Sequence, residues 1–185
     1  MPKAVRVALP ILFIAAVYCG GAPVEALQPD ASDVVMAVWI AAVLVTGVAN
    51  VVNACVDRGE GSPRRLAFWD MLLKLCMVPF HLLVFAAGLA MSIALAVVPG
   101  LIFAAPLMAG MLAVIDYVML LFTSSYGFAA VLRARGQGLI TSTSAAVLFV
   151  LHGLFVTDVV AAIVLYVMVR KAENPQAPSE EGPAA

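Results

Sequence analysis

Charge is scarce in this sequence, which has ten lysines and arginines and eleven aspartates and glutamates among 185 residues. Hydrophobic residues make up 64% of the chain, far above the share of about 45–50% that is usual in soluble domains. The few basic residues are dispersed and form no continuous patch, which argues against nucleic acid as a partner. The composition instead predicts an integral membrane protein whose surroundings are the lipid bilayer.

Residues that commonly carry chemistry are also few. The three cysteines, Cys19, Cys55 and Cys76, lie in unrelated segments and form neither a disulfide framework nor a Cys-x-x-Cys metal signature. The chain has no nucleotide-binding loop, no His-Glu-x-x-His motif and no Gly-x-Ser-x-Gly motif. We therefore predict no catalytic residue, no cofactor and no metal site, and an enzymatic role is disfavoured.

Long apolar segments predict an all-α fold, a polytopic transmembrane bundle of five membrane helices at about 4–19, 34–54, 64–98, 101–133 and 139–170. Ser62-Pro63 is typical of a helix start, and Pro99-Gly100 predicts a tight turn between the third and fourth helices. If the first segment is a cleaved signal peptide, four helices remain. Residues 1–171 are then one transmembrane domain, and the polar, proline-rich segment 172–185 is predicted to be disordered.

Orientation follows from lysine and arginine, which resist translocation across the membrane. In a five-span arrangement most of them fall on one side, which predicts a cytoplasmic N-terminus and an external C-terminus: Lys3, Arg6, Arg58, Arg64, Arg65, Lys74, Arg133 and Arg135. Arg170 and Lys171 fall on the opposite side and conflict with this arrangement. Either the membrane tolerates these two basic residues on the external side, or the fifth segment does not cross the membrane as a simple span.

Two ionisable residues are predicted to meet inside the membrane. His81 lies 18 residues before Pro99 and Asp116 lies 16 residues after Gly100, so two antiparallel helices place them at nearly the same depth. An ionised aspartate at the bilayer centre costs at least about 2.5–3.5 kcal/mol, so a partner is expected. The pair His81/Asp116 is the candidate site, either as a hydrogen-bonded lock between the helices or as a proton or cation site.

Other polar residues lie on the predicted helices. Asn50 and Asn53 share a face, which suggests hydrogen bonds between helices or the lining of a wet vestibule. Lys74 is expected to form an i,i+4 pair with Asp70, and it is level with the block of hydroxyl residues that contains Ser125. It would then extend toward the surface or donate to those hydroxyls.

His152 and Asp158 are six residues apart on the fifth helix. This spacing places them about 240° apart around a continuous helix. They are therefore predicted to be independent of each other, which also argues against a shared metal site.

Three stretches together resemble a family of small multi-spanning bacterial membrane proteins with no assigned function. They are Leu72-Leu73-Lys74-Leu75 through Pro79-Phe80-His81, Leu121-Phe122-Thr123-Ser124-Ser125-Tyr126, and Leu151-His152-Gly153-Leu154-Phe155-Val156-Thr157-Asp158-Val159-Val160. The resemblance covers about residues 66–168. It implies a bacterial cell-membrane protein and transfers no activity.

Three hypotheses about function follow. The preferred one is a multi-pass cell-membrane protein that serves as a non-catalytic subunit or scaffold, with a second copy or another membrane protein as its partner. The alternative is a small proton- or cation-coupled transporter or channel that uses the His81/Asp116 pair. An enzyme that acts within the membrane is the least favoured, because the sequence contains no nucleophile–base arrangement.

Overall fold

The computed structural model describes residues 3–20, 32–56 and 62–174, and these ranges contain six α-helices and no strand. The all-α class is therefore confirmed. The helices are α1 (Lys3–Cys19), α2 (Ser32–Val56), α3 (Pro63–Val97), α4 (Ala104–Gly136), α5 (Ser142–Leu151) and α6 (Thr157–Glu173). The predicted loop at 57–61 and the chain from residue 175 onward lie outside the described residues.

Helices α3 and α4 form a long antiparallel hairpin. At the start of α3, Ser62 Oγ accepts a hydrogen bond from the backbone N–H of Arg64, and Pro63 takes the first helical position, as the sequence predicts. The connection between the helices contains Gly100, whose φ of 89° is a left-handed conformation that glycine adopts without strain. We call the connecting residues 98–103 the tip of the hairpin.

The predicted fifth helix is wrong as a continuous element. The chain forms α5, leaves helical structure at 152–156, and resumes as α6. Helix α5 runs antiparallel to α4, and the Phe149 and Phe128 rings contact each other in a tilted arrangement, with 4.5 Å between their centroids. Helix α6 then runs back along α3: Tyr166 contacts Phe68, and Glu173 accepts a hydrogen bond of 2.8 Å from Ser62. Helices α5 and α6 therefore form a second hairpin, and the start of α5 and the end of α6 lie at the same end of the bundle.

This reversal places most of the basic residues in the described part of the chain at one end of the bundle, which we call the basic end. It contains the start of α3 and the ends of α4 and α6, with Arg64, Arg65, Arg133, Arg135, Arg170 and Lys171. The start of α1 lies there too, because Arg6 and Arg65 border the same small cavity. Arg170 and Lys171 lie at the basic end because α6 runs back along α3, so they share one end of the bundle with Arg64 and Arg133.

The predicted number of membrane helices is also corrected. Among the described helices, three are long and apolar enough to cross a membrane: Asp33–Val56 in α2, α3 and α4. Helix α1 has only 17 residues and extends about 26 Å, less than the hydrocarbon thickness of about 30 Å. Helix α5 is shorter still, with 10 residues.

The α3–α4 hairpin is packed in one half and open in the other. Near the basic end, α1, α2, α5 and α6 surround it, and the buried residues of α3 lie between Pro63 and Met77. No residue from 82 to 115 is buried. This second half, which includes the tip, presents large apolar side chains such as Leu83, Phe85 and Phe103 outward.

Candidate functional site

Four ionisable side chains meet in the enclosed half of the bundle and form what we call the ion cluster: Asp70, Lys74, His152 and Asp158. Lys74 Nζ donates to Asp158 Oδ1 and lies 3.1 Å from Asp70 Oδ1, where it makes an ion pair outside hydrogen-bonding geometry. The other carboxylate oxygen of Asp70 lies 3.0 Å from His152 Nε2. The ion cluster thus joins α3 to both arms of the α5–α6 hairpin.

Helix α4 completes the ion cluster through Ser124. Its hydroxyl lies 3.2 Å from Asp158 Oδ1 and 3.2 Å from the backbone carbonyl oxygen of His152. The four ionisable residues are almost entirely enclosed, with exposures of 0% for Asp70 and His152, 2% for Lys74 and 3% for Asp158. Enclosed charges need partners because desolvation is costly. Here the ammonium of Lys74 is the cation between two carboxylates.

The break between α5 and α6 brings His152 and Asp158 into one ion cluster. The sequence-based prediction that they are independent is wrong, because a rotation of 100° per residue holds only where the backbone is helical. At the break, Leu148 O accepts from both the backbone N–H and the Nδ1 of His152, at 3.0 and 2.7 Å. Leu151 O accepts from Thr157 Oγ1 at 3.2 Å. Both carbonyl groups also accept a backbone N–H, from His152 and Leu154 respectively, so the two side chains add a second hydrogen bond to each carbonyl at the break.

Gly127 on α4 allows His152 to approach α3 this closely. A Cβ atom at position 127 would lie 2.3 Å from His152 Cδ2, 2.4 Å from Nε2 and 2.7 Å from Asp70 Oδ1. All three distances are far inside van der Waals contact. Only glycine therefore fits here while the His152–Asp70 contact is kept.

His81 and Asp116 form a separate pair toward the tip of the α3–α4 hairpin. His81 Nδ1 lies 2.5 Å from Asp116 Oδ1, and the imidazole packs edge-on against Phe155 from the break, at 5.1 Å between centroids. Asp116 borders an open cavity of about 530 Å³, whose walls are mostly apolar and include Phe85, Leu89 and Leu112. The two side chains are thus in contact, and their role as a functional site stays a prediction.

Asn50 and Asn53 form a third polar group with Tyr126. The Tyr126 hydroxyl donates to Asn50 Oδ1 at 2.9 Å and accepts from Asn53 Nδ2 at 2.8 Å. The two amides also donate to α1, at the carbonyl oxygens of Leu9 and Arg6. These contacts are interhelical hydrogen bonds, one of the two possibilities the sequence left open.

Ser125, the serine predicted from the sequence, lies outside the ion cluster. Its Oγ donates to Phe122 O on its own helix, whereas the neighbouring Ser124 contacts the ion cluster. The roles of Ser124, of Gly127 and of Asp70 as the partner of His152 were not predicted from the sequence. The i,i+4 pairing of Asp70 and Lys74 was a usable signal, since such a pair inside an apolar helix requires further partners.

The fold and these polar groups define a class of protein: an all-helical bundle of long apolar helices in which an enclosed ion cluster joins two hairpins. The chain belongs to a family described as "Family of unknown function (DUF6652)", whose model matches residues 3–172. Membership in a family with no assigned function is therefore confirmed, and the match extends beyond residues 66–168 to include α1 and α2. Neither the curated proteins nor the solved structures searched contain a significant match.

Proposed function

We propose that this protein is a multi-pass membrane protein that acts as a non-catalytic subunit or scaffold. Membrane insertion is supported by the three long apolar helices and by the outward-facing apolar side chains of residues 82–115. The arginines and lysine at the basic end support a cytoplasmic location for that end, and with it for the start of α1. On this orientation the end of α6 is cytoplasmic as well.

The observation that carries the scaffold role is the closure of the ion cluster. Each of its charged groups contacts another member of the ion cluster, and exposures of 0–3% leave no open path for water to reach it. Buried ionic contacts of this kind hold helices in one arrangement, whereas conduction requires groups that exchange partners with water or ions. The polar groups are therefore used in packing α3, α4, α5 and α6 against one another.

The cavity beside Asp116 favours a second candidate, a small proton- or cation-coupled transporter or channel. Asp116 is an ionisable residue next to an open space of about 530 Å³, and its Oδ1 lies 2.5 Å from His81 Nδ1, a group that can share a proton with it. Such intramembrane pairs occur in proton relays. The apolar walls of the cavity place this candidate second, because they suit lipid chains better than water.

Flux measurements separate the two roles. Wild-type protein and an Asp116→Asn variant are reconstituted into liposomes that contain a pH-sensitive dye, and proton entry is followed under an imposed potential. The scaffold role predicts that both leak no faster than protein-free liposomes. A wild-type flux that Asp116→Asn abolishes, while the variant keeps the wild-type unfolding midpoint in detergent, would overturn the scaffold role and establish the second candidate.

A further inference from the structure

Both ring nitrogens of His152 face hydrogen-bond acceptors. Nδ1 lies 2.7 Å from the carbonyl oxygen of Leu148, and Nε2 lies 3.0 Å from Asp70 Oδ2. A neutral imidazole has one N–H donor and one bare nitrogen that can only accept. A carbonyl oxygen only accepts, so the Nδ1 of His152 must carry a hydrogen.

The contact on the other side of the ring then requires a second proton. With Nδ1 protonated, a neutral His152 would turn the lone pair of Nε2 toward Asp70 Oδ2, and an ionised carboxylate has no hydrogen to offer it. Two lone pairs 3.0 Å apart in an enclosed site repel each other. The contact is favourable only when a proton lies between Nε2 and Oδ2, on either atom.

Charge counting independently requires one added proton within the ion cluster. The charged and titratable side chains that face His152 are Asp70 and Lys74 from α3 and Asp158 from α6, while α4 contributes the Ser124 hydroxyl and Gly127. If His152 is neutral, the two carboxylates outnumber the single ammonium by one. One added proton makes the enclosed ion cluster neutral, which is the arrangement that avoids an uncompensated buried charge.

We propose that the His152–Asp70 pair is a proton-binding site, which holds one proton in the folded protein at neutral pH. The site is distinct from the His81–Asp116 pair, in which, among the residues that the structure describes, no carbonyl oxygen accepts from the second ring nitrogen of His81. Loss of the proton leaves an excess negative charge and two opposed lone pairs at the contact between α3 and the α5–α6 hairpin. Alkaline pH therefore weakens that contact. The inference stands whether or not the protein is a scaffold.

The direction of the pH effect follows from proton counting. In the unfolded chain, histidine has its ordinary pKa of about 6.5, so above that pH the unfolded state lacks the proton that the folded state holds. Rising pH then favours unfolding, and each unit raises the unfolding equilibrium constant about tenfold until the folded protein also releases the proton. Below a pH of about 6.5 both states bind it, and this contribution to the pH dependence disappears.

An Asp70→Asn variant tests the site, because a carboxamide can donate N–H to a neutral His152 and leaves Lys74 and Asp158 balanced. Unfolding is measured by denaturant titration in detergent between pH 6.5 and 8.5. We expect the unfolding constant of the wild type to rise about tenfold more per pH unit than that of the variant. Equal pH dependence in the two proteins would overturn the proposal. Asp116→Asn is the matched control. Its unfolding constant should depend on pH as that of the wild type does, and therefore more steeply than that of Asp70→Asn.

A second measurement does not depend on whether the Asp70→Asn variant folds. Nitrogen-15 NMR of histidine-labelled protein at pH 7 reports whether each ring nitrogen carries a proton, and a His81→Gln variant assigns the signals of His152. The proposal predicts either two protonated nitrogens, or one together with the infrared carbonyl band of a protonated Asp70. A bare Nε2 next to an ionised Asp70 would contradict it.

Discussion

Replacing Gly127 with alanine tests the packing around His152 most severely. The new Cβ would lie 2.3 Å from His152 Cδ2, whereas carbon atoms pack at about 3.5–4.0 Å. The imidazole must therefore retreat by more than about 1 Å. Its two hydrogen bonds, at 2.7 and 3.0 Å, do not survive such a displacement.

The free-energy cost of Gly127→Ala follows from the contact between His152 and Asp70 that the displaced ring no longer makes. Separating Asp70 from His152 removes one partner of a buried charged pair, which costs about 3–5 kcal/mol. Alanine in place of glycine within a helix raises the free energy of unfolding by about 0.5–1 kcal/mol. We expect Gly127→Ala to lower the free energy of unfolding by about 2–4.5 kcal/mol, the difference between these two figures.

The assay is equilibrium unfolding in mixed detergent, with Gly110→Ala as the matched control on the same helix. A Cβ at position 110 meets no atom within 4 Å, so that variant should be as stable as the wild type or slightly more stable. In a His152→Ala background the ring is absent, and Gly127→Ala should destabilise less than in the wild type, because only the close approach to Asp70 Oδ1 at 2.7 Å remains. If Gly127→Ala and Gly110→Ala have the same free energy of unfolding when His152 is present, the close packing described for this site is refuted.

Two further substitutions probe the other polar contacts. Lys74→Met removes the ammonium between Asp70 and Asp158, and we expect a loss of about 3–5 kcal/mol in unfolding free energy, measured by the same titration; a loss below 1 kcal/mol would mean that the ion cluster is not enclosed. Tyr126→Phe deprives the side-chain oxygen of Asn50 of its buried donor, with an expected cost of about 1–3 kcal/mol. Replacement of the exposed Tyr117 by phenylalanine is its control and should be neutral.

Helix positions and depths could be predicted wherever the backbone is regular. Counting from the Pro99-Gly100 turn places His81 level with Asp116, and the two side chains are in contact. This count works because both helices rise by about 1.5 Å per residue with no interruption between the turn and the pair.

The α5–α6 hairpin could not be predicted in the same way. Residues 152–156 contain a glycine but no proline, and their apolar composition suits a continuous helix equally well. Hydrogen bonds and charges from distant segments stabilise the break, namely Asp70 and Lys74 on α3 and Ser124 on α4. The one local signal was the conflict in orientation at Arg170 and Lys171, which disappears when the segment returns to the basic end.

The side of the membrane on which α6 ends tests the central claim most directly. Single cysteines are placed at Gln137, Asn174 and Leu101 in a protein whose own cysteines have been replaced, and sealed vesicles of known orientation are treated with a membrane-impermeant maleimide. Because α5 and α6 form a returning hairpin, we predict that positions 137 and 174 react from the same side and position 101, at the tip, from the opposite side. Reaction of position 174 together with position 101 would contradict this account.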